Sequence, residues 1–321
     1  MYLLDDGKVS YANNKPDEVF QSIVGSKDSR ISLQQFCDYP AEIARIRFIT
    51  ECLGCPDVIG FDTNNGRADP QIDLIADGID EKSKPKVLEI GIGKARVLAA
   101  LADQSNDIGS KVDYVGTDIG EDHRAECESV LSRIYGESTG RLHIGDATSL
   151  AQKIGESSFD FVLMCSVLHE IEPTDWIKKY FGKDGIVNYG LSNNGMLIVV
   201  EDYFLPHGER AHDFDYLVLD REALCKLFAS SGEEIETKCS SLPDYTDRIK
   251  AHFIPKHLIK NADVSTQLAA LESLRESSLS NAKKLRAKNQ QESSKFKVGG
   301  RLAFFEHQYI NAIIALEACK K

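Results

Sequence analysis

The residues that could do chemistry begin where an apolar run meets a glycine turn, at Val87-Leu88-Glu89-Ile90-Gly91-Ile92-Gly93-Lys94-Ala95-Arg96-Val97. The order is a strand, a tight turn and the first turn of a helix. Gly91 and Gly93 carry no side chain to obstruct a ligand, so backbone N–H groups can approach it. Two phosphate-binding versions of such a loop are excluded. A dinucleotide fingerprint needs a third glycine for close helix–strand packing, and Arg96 stands there. A P-loop needs a hydroxyl residue after its lysine, but Ala95 follows Lys94 and Leu88 replaces the first glycine. Further on, Asp118 closes the run Tyr114–Thr117, Gly145-Asp146-Ala147 closes Arg141–Ile144, and Cys165-Ser166-Val167-Leu168-His169-Glu170 follows Phe159–Met164. His169-Glu170 is not a zincin motif, because Pro173 occupies the place of the second histidine. Gly190-Leu191-Ser192-Asn193-Asn194 lacks the last glycine of a serine-hydrolase elbow.

Glu89-x-Gly91-x-Gly93-x-Ala95 resembles motif I of the class I S-adenosylmethionine-dependent methyltransferases, with Ala95 in place of the commoner glycine. The ordered set of strand ends over about residues 84–256 carries the same resemblance. It implies a site for S-adenosylmethionine, with Glu89 suited to an ammonium group rather than a pyrophosphate. Asp118, at the end of the second strand, would accept from two ribose hydroxyls, with Ile119 beside it. Asp146 would accept from the adenine amino group while Ala147 presents its N–H, and Cys165 would lie near the donor. Asp118 and Asp146 are also good helix N-caps.

Methyl transfer is an in-line displacement, so holding donor and acceptor collinear and dry supplies much of the rate. A base is needed when the acceptor is a hydroxyl or a protonated nitrogen. His169 is the best candidate, with Glu170 beside it; the alternative is a histidine hydrogen-bonded within the following helix. Glu201, Asp202 and Tyr203 are expected to face the same pocket, and His212 is a further candidate. The Asp/Asn-Pro-Pro-(Tyr/Phe) signature of adenine-directed enzymes is absent, and Val167-Leu168-His169-Glu170 looks more like members that methylate small molecules.

The elements that must position these groups follow from the pattern. Val87–Ile90, Tyr114–Thr117, Arg141–Ile144, Phe159–Met164 and Met196–Val200 alternate with helical stretches, and several are apolar on both faces, as parallel strands covered on each side are. Asn193-Asn194-Gly195 reads as the turn into the fifth, and the helix at Asp220-Arg221-Glu222 precedes Glu234–Cys239 and Arg248–Ile254, an antiparallel hairpin around Leu242–Tyr245. The expected architecture is α/β: a doubly wound seven-stranded sheet of five parallel βα units and a final antiparallel hairpin. A mainly helical cap at 1–83 and a helical extension at 257–321 flank the central domain, 84–256. Within the cap, helical patterns open at Pro16, Pro40 and Pro70, and Asn64-Asn65-Gly66 is a turn. In the extension, Gly299-Gly300 is expected to break the chain before a second helix at Leu302–Ala318.

The chain has 321 residues, with 38 Lys and Arg against 50 Asp and Glu. The acidic total argues against indiscriminate binding of polyanions. No stretch approaches the length of a membrane span, and Met1–Asp6 has no signal-peptide character. Eight scattered cysteines, with Cys52-x-x-Cys55 alone in motif spacing and no metal site completed, indicate free thiols in a reducing, cytoplasmic setting. Residues 256–301 run the other way, with ten Lys and Arg against four Asp and Glu, and Lys283, Lys284, Arg286 and Lys288 could track phosphates. A solvated face, or docking on the protein's own acidic surface, is the plainer explanation. The leading expectation is transfer to oxygen or nitrogen of a small-molecule acceptor. The alternatives are a nucleic-acid or protein methyltransferase recruiting its substrate through 256–301, and a non-catalytic binding or assembly protein. Terminal helices of this kind imply a substrate lid or a homodimer contact.

Overall fold

The computed structural model describes residues 2–5, 8–11, 75, 79, 84–104, 107–203, 217–240, 249–289 and 296–320. The helices expected at Pro16 and Pro40, Asn64-Asn65-Gly66, Cys52-x-x-Cys55, His212 and the Leu242–Tyr245 turn lie outside the described residues. β1 (Tyr2–Asp5) and β2 (Lys8–Tyr11) pair as a separate antiparallel hairpin. Of the pattern opening at Pro70, Ile75 is helical and buried, and Ile79 is buried beside it in the same apolar layer.

The main chain of elements then runs β3 (Lys86–Ile90), α1 (Arg96–Gln104), α2 (Ile108–Lys111), β4 (Asp113–Asp118), α3 (Arg124–Tyr135), β5 (Leu142–Ile144), α4 (Ala147–Ile154) and β6 (Phe159–Cys165). A three-residue 3-10 turn, Leu168–Glu170, and helical turns at Pro173–Phe181 lead to α5 (Ile186–Gly190) and β7 (Leu191–Asp202). After α6 (Arg221–Leu227), β8 (Glu236–Cys239) and β9 (Ile249–Pro255) complete the sheet, and α7 (Lys256–Ile259), α8 (Val264–Asn289) and α9 (Phe296–Cys319) follow.

The seven strands lie in the order β5-β4-β3-β6-β7-β9-β8. Six run in one direction and β9 runs against its neighbours β7 and β8. The expected doubly wound sheet with its closing hairpin is therefore present. Side chains alternate across it with period two: Leu197 and Val199 enter one apolar layer, Ile198 and Val200 the other. Both layers are dry because helices cover both faces. Leu150, Trp176, Leu224, Leu271 and Leu316 build the first; Leu98, Leu101, Cys127 and Leu131 build the second.

Two local expectations change. Asn193-Asn194-Gly195 does not precede the strand but bulges from it: β6 pairs Phe159 with Leu191 and then Phe161 with Met196. Gly299-Gly300 does not break the chain either, since α9 begins at Phe296 and runs through both glycines. Two glycines weaken a helix by roughly 1 kcal/mol each. Packing of α9 against α8, and of Ala312, Ala315 and Leu316 in the core, outweighs that. Among the described residues, no helix is long and apolar enough to cross a membrane.

The closing hairpin is fastened by a buried imidazole. His252 of β9 lies between Val199 and Thr237. Its Nε2 is 2.7 Å from the Tyr203 hydroxyl and its Nδ1 2.9 Å from Thr237 Oγ1, while Tyr203 donates to the carbonyl of Leu219 at 2.6 Å. The set is satisfied by a neutral ring with its proton on Nε2. Burial pushes the imidazole down to about 3. Between that value and about 6.5 the unfolded chain binds a proton that the folded protein does not, so stability is lost as pH falls through this window. His252→Gln, which keeps hydrogen-bonding capacity without titrating, is expected to remove that part of the acid sensitivity. Urea midpoints from pH 7 to pH 4, for both proteins, check it.

Candidate functional site

The strand order reverses between β3 and β6, and ligands of open α/β sheets bind beyond the carboxyl ends of the strands at such a point. The glycine loop stands there. Gly91 has φ +71° and a Cβ on it would lie 2.4 Å from Val167 Cγ2, so both conformation and space demand glycine. The N–H groups of Gly91 and Ile92 both donate to the Thr117 carbonyl, at 2.8 and 3.0 Å. Gly93 N–H donates to Asp118 Oδ2 at 2.8 Å, and Gly120 N–H to Asp118 Oδ1 at 3.1 Å. The first N–H groups of the loop are thus committed to β4 rather than offered to a ligand. What the glycines supply is shape: a Cβ at Gly93 would meet nothing within 4 Å.

Above this loop is a cavity of about 420 Å³. Gly91, Gly93, Asp118, Ile119, Asp146, Ala147 and Glu170 line it. Ile119 is 78% exposed, an apolar side chain presented to the cavity rather than to the core. Asp118 is not a helix cap, since α3 starts only at Arg124. Asp146 is one: its Oδ1 accepts from Thr148 N–H at 2.9 Å. Its other oxygen is 2.9 Å from Lys179 Nζ, which also meets Asp175 at 2.9 Å. The ammonium beside it holds the Asp146 carboxyl below the usual carboxylate range, and the two carboxylates raise Lys179.

Glu89 and Cys165 are placed differently. Neither lines the cavity. Glu89 is buried beneath the loop and accepts the Tyr114 hydroxyl at 2.8 Å. Burial pushes its carboxyl up to about 8. Cys165 packs in the second apolar layer, and burial raises its thiol well above the ordinary range. Glu201, Asp202 and Tyr203 do not line the cavity either; all three are drawn under the carboxyl edge of the sheet.

His169 is 2% exposed and sits in the 3-10 turn after β6. Its Nδ1 is 2.6 Å from Glu201 Oε2, and its backbone N–H donates to Glu201 Oε1 at 3.3 Å. Nε2 lies 3.9 Å from Glu170 Oε1. A carboxylate on Nδ1 fixes the ring's orientation and tautomer, and the ring itself does not line the cavity, which Glu170 does. The strand-end position of Glu201 was visible in the sequence, but its pairing with His169 was not.

Other cavity residues had no sequence signal. Glu172, Asp175, Lys179 and Tyr180 come from the turns after β6, which wall one side. Ser166 also lines it, with φ +54°, and Ala95 in the loop has φ +56°. Such conformations cost a non-glycine residue roughly 1–2 kcal/mol each. They persist because hydrogen bonds hold them: Ala95 N–H to the Ile92 carbonyl at 2.9 Å, Ser166 N–H to that of Val200 at 2.8 Å.

A glycine loop at the strand–helix turn is the arrangement the motifs implied; its clamping to the second strand by Asp118 is not. The chain has a doubly wound, seven-stranded α/β fold of the Rossmann-like kind. No protein-family model matches it, and no curated protein sequence does. Among solved structures it is similar to a SAM-dependent methyltransferase from Aquifex aeolicus, at 14% identity over 65% of this chain and 97% of that one, TM-score 0.40. It is also similar to phosphoethanolamine N-methyltransferase 1 of Haemonchus contortus, solved with phosphoethanolamine and S-adenosylhomocysteine, at 13% identity over 70% of this chain and 50% of that one, TM-score 0.39. A third is an O-methyltransferase family protein from Burkholderia thailandensis, at 10% identity, 73% and 75% coverage, TM-score 0.40.

In this fold the buried Glu89 ties stability to pH. A carboxyl raised to about 8 keeps a proton that the unfolded chain releases above about 4.5. Its contribution is therefore full below about 4.5 and lost as pH rises through 8. Glu89→Gln, which still accepts from Tyr114, is expected to flatten the decline, so that Tm of the variant exceeds wild type increasingly from pH 5 to pH 8.5. Thermal denaturation across that range checks it.

Proposed function

We propose that this protein is an S-adenosylmethionine-dependent methyltransferase acting on oxygen or nitrogen of a small-molecule acceptor. The observation that carries the proposal is the Asp118 clamp: one carboxylate holds the glycine loop against β4 at the switch point, and the loop opens into the cavity at Gly93.

The residues present fit the cofactor. The cavity is within the roughly 300–1,000 Å³ of small-molecule sites. Asp118 keeps acceptor capacity beyond its two backbone bonds and would take the ribose hydroxyls. Ile119 offers an apolar face to the adenine, and Ala147, the first residue of α4, lies at its edge. Asp146 would accept the adenine amino group only in competition with Lys179. Glu89 and Cys165 would act from beneath the loop, as packed support rather than as direct contacts. When bound, S-adenosylmethionine supplies a methyl group on a positively charged sulfur.

On the acceptor side, Glu170, His169 and Glu201 form a series from cavity to core. A proton leaving the acceptor would pass from the cavity through Glu170 to His169 Nε2 behind it, with Glu201 stabilising the imidazolium across Nδ1. The wall of turns after β6 keeps water from one side. A small acceptor, rather than a macromolecule recruited at 256–301, is supported by how that segment spends its charge. Lys256 is buried and donates to the carbonyls of Asn188 and Leu191, and Arg286 binds Glu306 of α9. Lys283 and Lys284 are left exposed.

Calorimetric titration with S-adenosylmethionine and S-adenosylhomocysteine tests the donor site. Charge-assisted hydrogen bonds contribute roughly 1.5–3 kcal/mol each, so Asp118→Ala is expected to weaken binding by about tenfold to a hundredfold or more. Asp118→Asn, which keeps an acceptor for Gly93, should lose less. No binding to well-folded wild type would favour the non-catalytic alternative. Once an acceptor is found by screening, His169→Ala is expected to lower turnover by about 10²–10⁴ with donor affinity unchanged. A loss below about tenfold would mean that positioning alone carries the reaction.

A further inference from the structure

We infer that Gln308, on the C-terminal helix α9, is a positioning residue for His169; this rests on the reading of His169 as the base. The two are linked through residues 217–219, which join the catalytic edge of the sheet to α6. This segment has no regular secondary structure, yet Leu217, Val218 and Leu219 are all buried. Its backbone amides therefore have no ladder to satisfy them and must find partners elsewhere. Leu217 N–H donates to the carbonyl of His169 at 3.3 Å. The next amide, of Val218, donates to Gln308 Oε1 at 2.8 Å.

Gln308 is 1% exposed, and a buried amide side chain is costly unless it bonds. Accepting from Val218 gives the buried amide oxygen of Gln308 a partner. The grip is reinforced one turn earlier, where Phe304 packs on Val218. It is reinforced again by Arg286 of α8, which binds Glu306 and so sets where α9 lies. From the other side, Tyr203 holds the carbonyl of Leu219.

His169 needs such support. Its 3-10 turn is three residues long, closed by Glu170 N–H to the Val167 carbonyl at 3.0 Å and Ile171 N–H to that of Leu168 at 3.2 Å, and neither bond involves the carbonyl of His169. Glu201 fixes the ring and the amide of His169, and Leu217 N–H holds its carbonyl. A misplacement of about 1 Å at a reacting group costs on the order of a hundredfold in rate, so a brace that removes this freedom acts on catalysis without touching substrate. The C-terminal extension is on this account part of the catalytic geometry.

The test uses the full chain and no acceptor. A His169 Nδ1–H bonded to a carboxylate gives a downfield proton resonance, and Glu201→Gln identifies it by removing it. Gln308→Met, apolar and of similar shape, is expected to broaden or abolish this resonance and to reduce amide-exchange protection of Leu217 and Val218 by about tenfold or more. Gln308→Glu, which keeps an acceptor oxygen at the same reach, should restore both. Affinity for S-adenosylhomocysteine should stay unchanged throughout. An unchanged resonance in Gln308→Met overturns the proposal, as does broadening of every histidine signal without restoration by Gln308→Glu. If Glu201→Gln leaves the resonance in place, the reading of His169 fails instead. Should Gln308→Met not fold, native-state exchange of the wild type decides: Leu217 and Val218 must open together with the α9 amides around Gln308, and faster independent exchange sinks the coupling.

Discussion

One carboxylate joins the two loops on which the site depends. Asp118 takes the N–H of Gly93 from the loop after β3 and the N–H of Gly120 from its own turn after β4. Two bonds to a charged acceptor are stronger than neutral ones, and they act where the backbone has no ladder. With Thr117 accepting from Gly91 and Ile92, they fix the height of the glycine loop above the sheet. The parallel register, Glu89 opposite Gly116 and Ile90 opposite Thr117, brings these groups to one level. Without it, neither the open face at Gly93 nor the exposed Ile119 would border the same cavity.

Around that clamp the protein places ionisable groups at different depths. Glu89 lies under the loop, where burial favours its neutral form and Tyr114 donates to it. Glu201 lies equally deep but faces His169. Asp146, Asp175 and Lys179 lie at the cavity rim, where partial exposure screens their attraction and makes them a fastening of the wall rather than a large source of stability. The same residue type thus supports the loop, orients an imidazole or closes a rim, according to what surrounds it.

Much of the fold was legible because it is written in local patterns. Apolar runs with period two, glycines at the strand–helix turn and a carboxylate at a strand end each reflect a constraint acting within a few residues. Where the pattern misled, a distant contact was responsible. Gly299-Gly300 reads as a break, yet α9 continues because its later turns pack against α8 and the core. The loop glycines read as ligand donors, yet β4 takes the N–H groups of residues 91–93.

By itself, then, the sequence determined the strand set, the sheet class, the glycine loop and the candidacy of Asp118, Ile119, Asp146, Ala147, His169 and Glu170, since each follows from residue type and short-range spacing. The tertiary structure alone decided which of these reach the cavity. It buried Glu89 and His169 away from the cavity, packed Cys165 against an apolar layer, paired His169 with Glu201, and set Lys179 against Asp146. It also carried Gln308 from the last helix to the backbone beside His169. Strand order, not chain distance, makes those meetings, and hydrogen bonds between residues far apart in the chain leave no periodicity to read.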